Sequence, residues 1–198
     1  MDLSKYVFHS INCLNDGCCV LVGDLIITAG HVVSNHPLTI AVEGTIYDLY
    51  KEDALFYKWD GDNMPANSFD IAIFRISDLS SPIEFDISSP CKGMILKSIS
   101  YEHRVENAHA LDIFSIASNE HFITNECDAV ISAVEGNFFQ CKTDIVLKPG
   151  SSGSPVFRNG KVFGILHGGQ IGQPYCVFQS SASILDVLSG IKGCVERT

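Results

Sequence analysis

The sequence predicts an all-β fold made of many short strands, and three observations lead to this expectation. Short apolar runs rich in β-branched and aromatic residues recur along the chain and are separated by turn residues. The dipeptides Gly23-Asp24 and Asn159-Gly160 favour tight hairpins between antiparallel strands. With 46% apolar and 18% charged residues, the 198-residue chain has the composition of a globular protein with a sizeable core. Together these observations indicate β-barrels or a β-sandwich.

The predicted elements follow one another from the amino end with little else between them. Strands are expected over the apolar runs 18–22, 25–29, 38–42, 45–50, 71–76, 94–99, 110–116, 129–134, 138–141, 155–157, 162–166 and 175–179. The stretch 78–90 is polar and contains Ser and Pro, so it predicts a link between two halves. Residues 183–191 have apolar residues at helical spacing after a serine, which predicts a closing helix.

Charge and hydropathy exclude several classes of partner. The net charge of −10 and the scattered Lys and Arg residues argue against nucleic-acid binding, which needs a concentrated basic surface. The longest apolar stretch, 18–33, is interrupted by Asp24 and His31 and is too short for a membrane span. The first residues lack the pattern of a secretory signal. We therefore expect no nucleic acid and no membrane span for this chain.

Residues 150–155, Gly-Ser-Ser-Gly-Ser-Pro, have the composition of a nucleophile loop. A seryl hydroxyl attacks a carbonyl only when a base takes its proton and nearby amides stabilise the resulting oxyanion. Ser152 is the candidate nucleophile, and the backbone N–H groups of Gly150 and Ser152 are the candidate oxyanion donors. Gly153 and Pro155 shape the exit of the tight turn. Alone this pattern is weak, because similar compositions occur in ordinary turns.

Two further motifs supply the partners that this serine needs. His31 follows the β-branched run 25–28 and is the candidate general base, whereas Asp70 begins the apolar run 70–76 and is the candidate carboxylate that orients the imidazole. The order His, Asp, Ser resembles the chymotrypsin-like serine proteases and differs from that of subtilisins and α/β-hydrolases. Thr-Ala-Gly-His, Asp-Ile-Ala and the nucleophile loop each resemble a signature of that family.

The resemblance implies a fold and a reaction. The fold is two six-stranded antiparallel β-barrels with a short C-terminal helix: residues 1–85 carry His31 and Asp70, and residues 86–198 carry Ser152 and the S1 pocket. The implied activity is endopeptidase cleavage of a polypeptide through an acyl-enzyme, with no cofactor. A purely structural interpretation also remains open. His31 would then be a histidine at a strand end, Asp70 a turn carboxylate and Ser152 a turn serine, as in an inactive homologue with a binding role.

The eight cysteines do not follow the disulfide pattern of extracellular members of the family. Val32 follows His31 where those members often carry a bridged cysteine, and Lys148 stands before the nucleophile loop where another is usual. No Cys-x-x-Cys pair or paired-histidine spacing indicates zinc, so no metal is expected. The cysteines therefore predict small, partly buried hydrophobes in a reducing compartment, the cytoplasm.

Details near the serine narrow the resemblance to the 3C-like serine proteases of positive-strand RNA viruses. Ser151 stands where zymogen-activated members carry an aspartate, so that activation switch is not expected. The resemblance implies a protease that processes its own polyprotein in the host-cell cytoplasm. The alternative is a cellular or bacterial protease of the HtrA or glutamyl-endopeptidase kind.

The residues of the S1 pocket leave two alternatives open. Leu147, Leu166, Gly168 and Gly169 are expected to contact substrate, and no acidic residue indicates a preference for Lys or Arg. His167 lies one position later than the histidine that binds Gln or Glu at P1 in related proteases. In a regular strand it would point toward Asp70, leaving an apolar or small P1 pocket, whereas a β-bulge could turn it into the pocket.

Overall fold

The computed structural model describes residues 1–11, 16–61, 65–103, 122–170 and 172–195, and it confirms a mainly β fold. Its thirteen strands are β1 Val7–His9, β2 Cys18–Val22, β3 Leu25–Thr28, β4 Leu38–Val42, β5 Thr45–Leu49, β6 Phe56–Trp59, β7 Asp70–Arg75, β8 Ile95–His103, β9 Phe122–Glu135, β10 Phe138–Thr143, β11 Pro155–Arg158, β12 Lys161–Gly169 and β13 Tyr175–Ser180. One α-helix, α1 Ser181–Val195, follows the last strand, and short 3₁₀ helices lie at Leu3–Tyr6, Gly30–Val33 and Lys51–Asp53.

The two halves of the chain build different kinds of sheet. In the C-terminal half, six strands close a barrel in the order β10-β13-β12-β11-β8-β9, as the resemblance implies. In the N-terminal half, the described strands form a five-stranded sheet, β1-β2-β3-β7-β6, and a separate pair, β4-β5, rather than one closed six-stranded barrel. The boundary between residues 85 and 86 stays a prediction.

Most strands lie where the apolar runs predict them, and both hairpin signals form turns. Gly23 joins β2 to β3 with φ 60°, and Asn159 and Gly160 join β11 to β12 with φ 52° and 78°. Both central residues of the second turn have positive φ, as a type I′ hairpin requires. The run 110–116 lies outside the described residues. The short strands β1 and β6 were not predicted.

The two halves share an apolar core. Val20, Ile27 and Ile71 of the first sheet pack in one cluster with Ile165 of the barrel and Ile184 of α1. All five are buried. This shared core lies between the sheet whose β3 and β7 adjoin His31 and Asp70 and the barrel whose β11 follows Ser152.

Six cysteines have side chains that the structure describes; all six are free thiols, and all but Cys91 are buried. Burial is the largest influence on the pKa of Cys18 and of Cys141, raising the first to about 11 and the second to about 12. Thiols that stay protonated at neutral pH are poor nucleophiles, so they act as small hydrophobes in these strands. No helix among the described residues combines the length and apolarity needed to cross a bilayer.

Candidate active site

His31 and Asp70 form a close, partly shielded pair. His31 lies in the 3₁₀ helix that follows β3, and Asp70 is the first residue of β7, which pairs with β3. The His31 Nδ1 atom is 2.7 Å from Asp70 Oδ2, and the backbone N–H of His31 donates to Oδ1 at 2.8 Å. The Asp70 side chain is fully buried, whereas that of His31 is 29% exposed. One carboxylate therefore fixes both the backbone and the ring of a histidine that still reaches solvent.

The Asp70 carboxyl stays ionised although it is buried. Burial is the largest single influence and raises its pKa, but hydrogen bonds and electrostatic attraction from His167 and His31 together outweigh burial and lower the pKa from 3.8 to about 2. An ionised carboxylate accepts hydrogen bonds only, so the ring nitrogens that face it carry the protons. For His31, a proton on Nδ1 leaves Nε2 able to accept one, as a general base must.

The nucleophile loop is bound to both halves of the molecule. Cys18 N–H donates to the carbonyl of Ser152 at 2.7 Å, and Gly153 N–H donates to the carbonyl of Leu166 at 2.8 Å. The Ser152 hydroxyl donates to the carbonyl of His167 at 3.4 Å, and no hydrogen bond joins it to His31 in the part of the chain that the structure describes. In free enzymes such bonds are often long and tighten only around substrate.

The conformation of the loop exposes two backbone donors beside Ser152. Gly150 has φ 91°, a left-handed conformation that glycine adopts at little cost. Across the described ranges, neither the N–H of Gly150 nor that of Ser152 has a hydrogen-bond acceptor. Two unpaired donors flanking a serine are what an oxyanion needs. The geometry is thus compatible with the oxyanion role predicted for these two amides.

Gly153 is the tightest point of this loop, and this gives a test of the packing. A Cβ on Gly153, where φ is 84°, would lie 2.0 Å from the carbonyl oxygen of Cys18 and 2.4 Å from Thr28 Oγ1. We expect Gly153→Ala to lower the free energy of unfolding by about 4 kcal/mol, measured by urea denaturation. Gly160→Ala is the matched control, because its φ is also positive, 78°, but nothing lies within 4 Å of the added carbon. Equal losses in the two variants would contradict the steric argument.

A cavity of about 360 Å³ opens beside Ser152. Four of the five residues predicted to contact substrate line it, namely Leu147, Leu166, Gly168 and Gly169. The wall is largely apolar, with Val146 and Tyr175 adding to the two leucines, while Lys148, Gln170 and Gln173 add polar groups. The size is that of a pocket for one side chain or a small ligand.

His167, whose direction the sequence left open, is not among the residues that line this cavity. Strand β12 has a bulge between Leu166 and Gly168 in its pairing with β13, and His167 is the extra residue. The bulge occurs, but the imidazole turns to Asp70, with Nδ1 2.5 Å from Oδ2. Of the two alternatives, the structure thus favours the one in which His167 faces Asp70.

Two further residues at this site, Gln179 and Trp59, were not predicted from the sequence. Gln179 on β13 is fully buried, and its Oε1 accepts the backbone N–H of Asp70 at 2.9 Å. The Trp59 ring on β6 lies 6.4 Å from the His31 ring, centre to centre. A glutamine within the apolar run of β13 is the one signal in the sequence that points to a buried polar contact.

His31, Asp70 and His167 also offer atoms that bind divalent metals, all within 4.8 Å of one another. Two ligands of a tetrahedral zinc ion lie roughly 3.3 Å apart, because each bond is about 2.0–2.1 Å long. The Nδ1–Oδ2 separations of 2.7 and 2.5 Å are shorter and are those of hydrogen bonds. The two histidines are therefore spaced for hydrogen bonds to Asp70.

The fold and the arrangement of these residues are those of the chymotrypsin-like serine protease class. The model of the trypsin-like peptidase domain matches residues 16–165, and the chain belongs to that family. No curated protein matches the sequence.

Solved structures share the fold at low sequence identity. The active form of the Rv3671c protease from M. tuberculosis has 16% identity and a TM-score of 0.63, over 93% of this chain and 78% of that one. A serine protease of a human pathogenic astrovirus has 18% identity and a TM-score of 0.54, over 89% of each chain. An inactivated protease paralogue of the scabies mite has 12% identity and a TM-score of 0.65, over 96% and 93%. Because active and inactivated proteins share this fold, activity depends on the residues in the cleft.

Proposed function

We propose that the chain is an active serine endopeptidase with His31, Asp70 and Ser152 as its catalytic residues. The observation that carries this proposal is that Asp70 holds His31 by both its backbone and its ring. His167 links this pair to Ser152, because its ring binds Asp70 and its carbonyl accepts the Ser152 hydroxyl. A histidine held with its proton on Nδ1 is prepared to take a proton at Nε2. The reaction needs no cofactor.

The proposed reaction proceeds in two halves. His31 takes the hydroxyl proton of Ser152 as the oxygen attacks the peptide carbonyl, and the N–H groups of Gly150 and Ser152 stabilise the oxyanion. His31 then gives that proton to the leaving amine, which produces the acyl-enzyme. Water activated by the same imidazole releases the acid and regenerates the serine. Throughout, the negative charge of Asp70 stabilises the imidazolium.

The apolar lining of the cavity supports an apolar or small P1 residue in the substrate. Leu147, Leu166 and Val146 offer no charge, and the His167 ring is turned away from the cavity. A diverse peptide library cleaved by the wild type and read by mass spectrometry tests this directly. Enrichment of Gln or Glu at P1 would contradict it.

The finer proposal is that the natural substrate is a viral polyprotein containing this chain, cleaved in the host-cell cytoplasm. Ser151 in place of the zymogen aspartate and the resemblance to 3C-like proteases support it, and the free cysteines suit a reducing compartment. Peptides that span the junctions of the surrounding reading frame should be among the best substrates. If no such junction is cleaved, the alternative of an HtrA-like or glutamyl-endopeptidase-like enzyme takes its place.

A fluorophosphonate probe tests activity independently of substrate. The probe phosphonylates a serine only when a base activates it and an oxyanion site receives the phosphoryl oxygen. We expect the wild type to be labelled on Ser152 and the variants Ser152→Ala and His31→Ala to remain unlabelled. An unlabelled wild-type protein would support the third possibility, a binding module on a protease fold.

A further inference from the structure

His167 occupies a place at the site that the proposed reaction leaves unused. Its Nδ1 and that of His31 both face the same oxygen, Asp70 Oδ2, at 2.5 and 2.7 Å. The two rings stand perpendicular, with their centres 5.7 Å apart. Since Asp70 is ionised, each ring donates its Nδ1 proton, and one buried carboxylate holds two imidazoles.

The backbone and its neighbours fix the His167 ring in this position. As the extra residue of the β12 bulge, His167 is released from the alternation that would otherwise be imposed by pairing with β13. The Phe138 ring packs on it at 6.0 Å, and 23% of the His167 side chain is exposed. The ring is therefore held firmly yet remains open to proton exchange with solvent.

We propose that His167 is a positioning residue, which holds Asp70 for His31 and provides a second imidazole that takes up a proton in acid. The inference rests on the proposed function, because its main readout is catalysis. When both rings are neutral, Asp70 Oδ2 accepts one hydrogen bond from His31 and a second from His167. In acid, the negative charge of Asp70 balances positive charge on two rings instead of one.

The charges around His167 make the two protonations depend on each other. The titratable groups facing it are Asp70 on β7 and His31 in the 3₁₀ helix, and Tyr57 on β6 interacts electrostatically with Asp70. Gln179, which holds the backbone of Asp70, is neutral. With the ring centres 5.7 Å apart, a positive charge on one ring disfavours a second positive charge on the other.

This coupling shapes the acid limb of the pH–rate profile. When the single proton lies on His167, His31 is still neutral and can act as the base. The loss of kcat/KM in acid should then extend over two protonations and be shallower than a single titration. A lone histidine on Asp70 would give one steep step.

Two substitutions separate the donor from the proton site. In His167→Asn, the side-chain amide stands where Nδ1–H stood and can donate to Asp70 but cannot titrate. In His167→Leu, the donor is lost while the bulk is retained. At pH 8 we expect kcat near that of the wild type for Asn and about tenfold lower for Leu, with KM unchanged in both.

The acid limb should separate His167→Asn from the wild type. For each protein, kcat/KM is expressed relative to its own value at pH 8. One pH unit below the pH at which His167→Asn has lost half of its activity, we expect this relative activity to be at least about twofold higher in the wild type than in the variant. The proposal would be overturned if both variants had the kcat of the wild type and the same acid limb. A rise in KM alone would also overturn it, by assigning His167 to substrate binding.

Proton NMR keeps the test independent of activity and of the folding of the Leu variant. Imidazole Nδ1 protons bonded to a carboxylate resonate far downfield, so the wild type should show two such signals and His167→Asn only one. A single signal in the wild type would contradict the geometry. If Ser152 remains unlabelled by the fluorophosphonate probe while two signals are present, the proposed function fails and the paired imidazoles stand.

Discussion

Replacement of Ser152 by alanine is expected to lower kcat/KM by about 10⁵- to 10⁶-fold and to leave the fold intact. Without the hydroxyl no acyl-enzyme forms, and only the oxyanion donors and substrate binding remain to assist direct attack by water. The fold should persist because, among the residues that the structure describes, the hydroxyl has one long hydrogen bond, 3.4 Å, to the carbonyl of His167. The measurement is kcat/KM on the best peptide from the library.

Ser151→Ala is the matched control for this substitution. Ser151 is the adjacent serine, and its buried hydroxyl has no hydrogen-bond partner among the described residues. Its removal should therefore change kcat/KM by less than about threefold, since no buried polar contact is lost. A large loss of kcat/KM in Ser151→Ala, together with near-normal activity in Ser152→Ala, would show that Ser151 is the nucleophile.

The second large effect is expected for Asp70→Asn, which should lower kcat about 10⁴-fold. The amide is nearly isosteric with the carboxylate but has no charge to stabilise the imidazolium. Its NH₂ group also cannot accept the Nδ1 protons of His31 and His167, so the rings favour the wrong tautomer. Asp24→Asn, on an exposed residue paired with Arg75, is the control and should retain full activity. Comparable losses in the two variants would contradict a specific role for Asp70.

The same substitution should remove part of the acid sensitivity of the fold. The pKa of Asp70 lies below its usual value near 3.8, so its ionised form stabilises the folded state above that pH. This stabilisation is lost as pH falls through about 2 and amounts to about 2 kcal/mol. Urea denaturation measures the free energy of unfolding of the wild type and of Asp70→Asn. The difference between these two free energies should decrease by that amount between pH 5 and pH 2.

The sequence was sufficient to predict the fold class because its signals are local. The apolar runs and the Asn159-Gly160 turn depend on a few neighbouring residues, and the structure contains them as predicted. The three motifs also predicted that His31 and Asp70 would meet, although they are far apart in the chain. Strand β1 has only three residues and β6 contains Lys58, so neither gives a clear apolar pattern.

What the sequence left open depends on pairings between distant strands. The direction of His167 is set by the register of β12 against β13, where one extra residue decides which way a side chain points. The contact of Gln179 with Asp70 joins the last strand to the first half of the chain. The division of the N-terminal half into two sheets likewise follows from how strands pair, which no local pattern specifies.

The hydrogen bonds that cross between the halves also determine when the site is complete during synthesis. Cys18 binds the carbonyl of Ser152, and the backbone of Asp70 binds the side chain of Gln179. A chain still being made on a ribosome already has His31 and Asp70, but it has no partner for Asp70 N–H until residue 179 has emerged. The proposed site is therefore complete only after residue 179 has emerged, and the first sheet gains the core that it shares with Ile165 and Ile184 at the same stage.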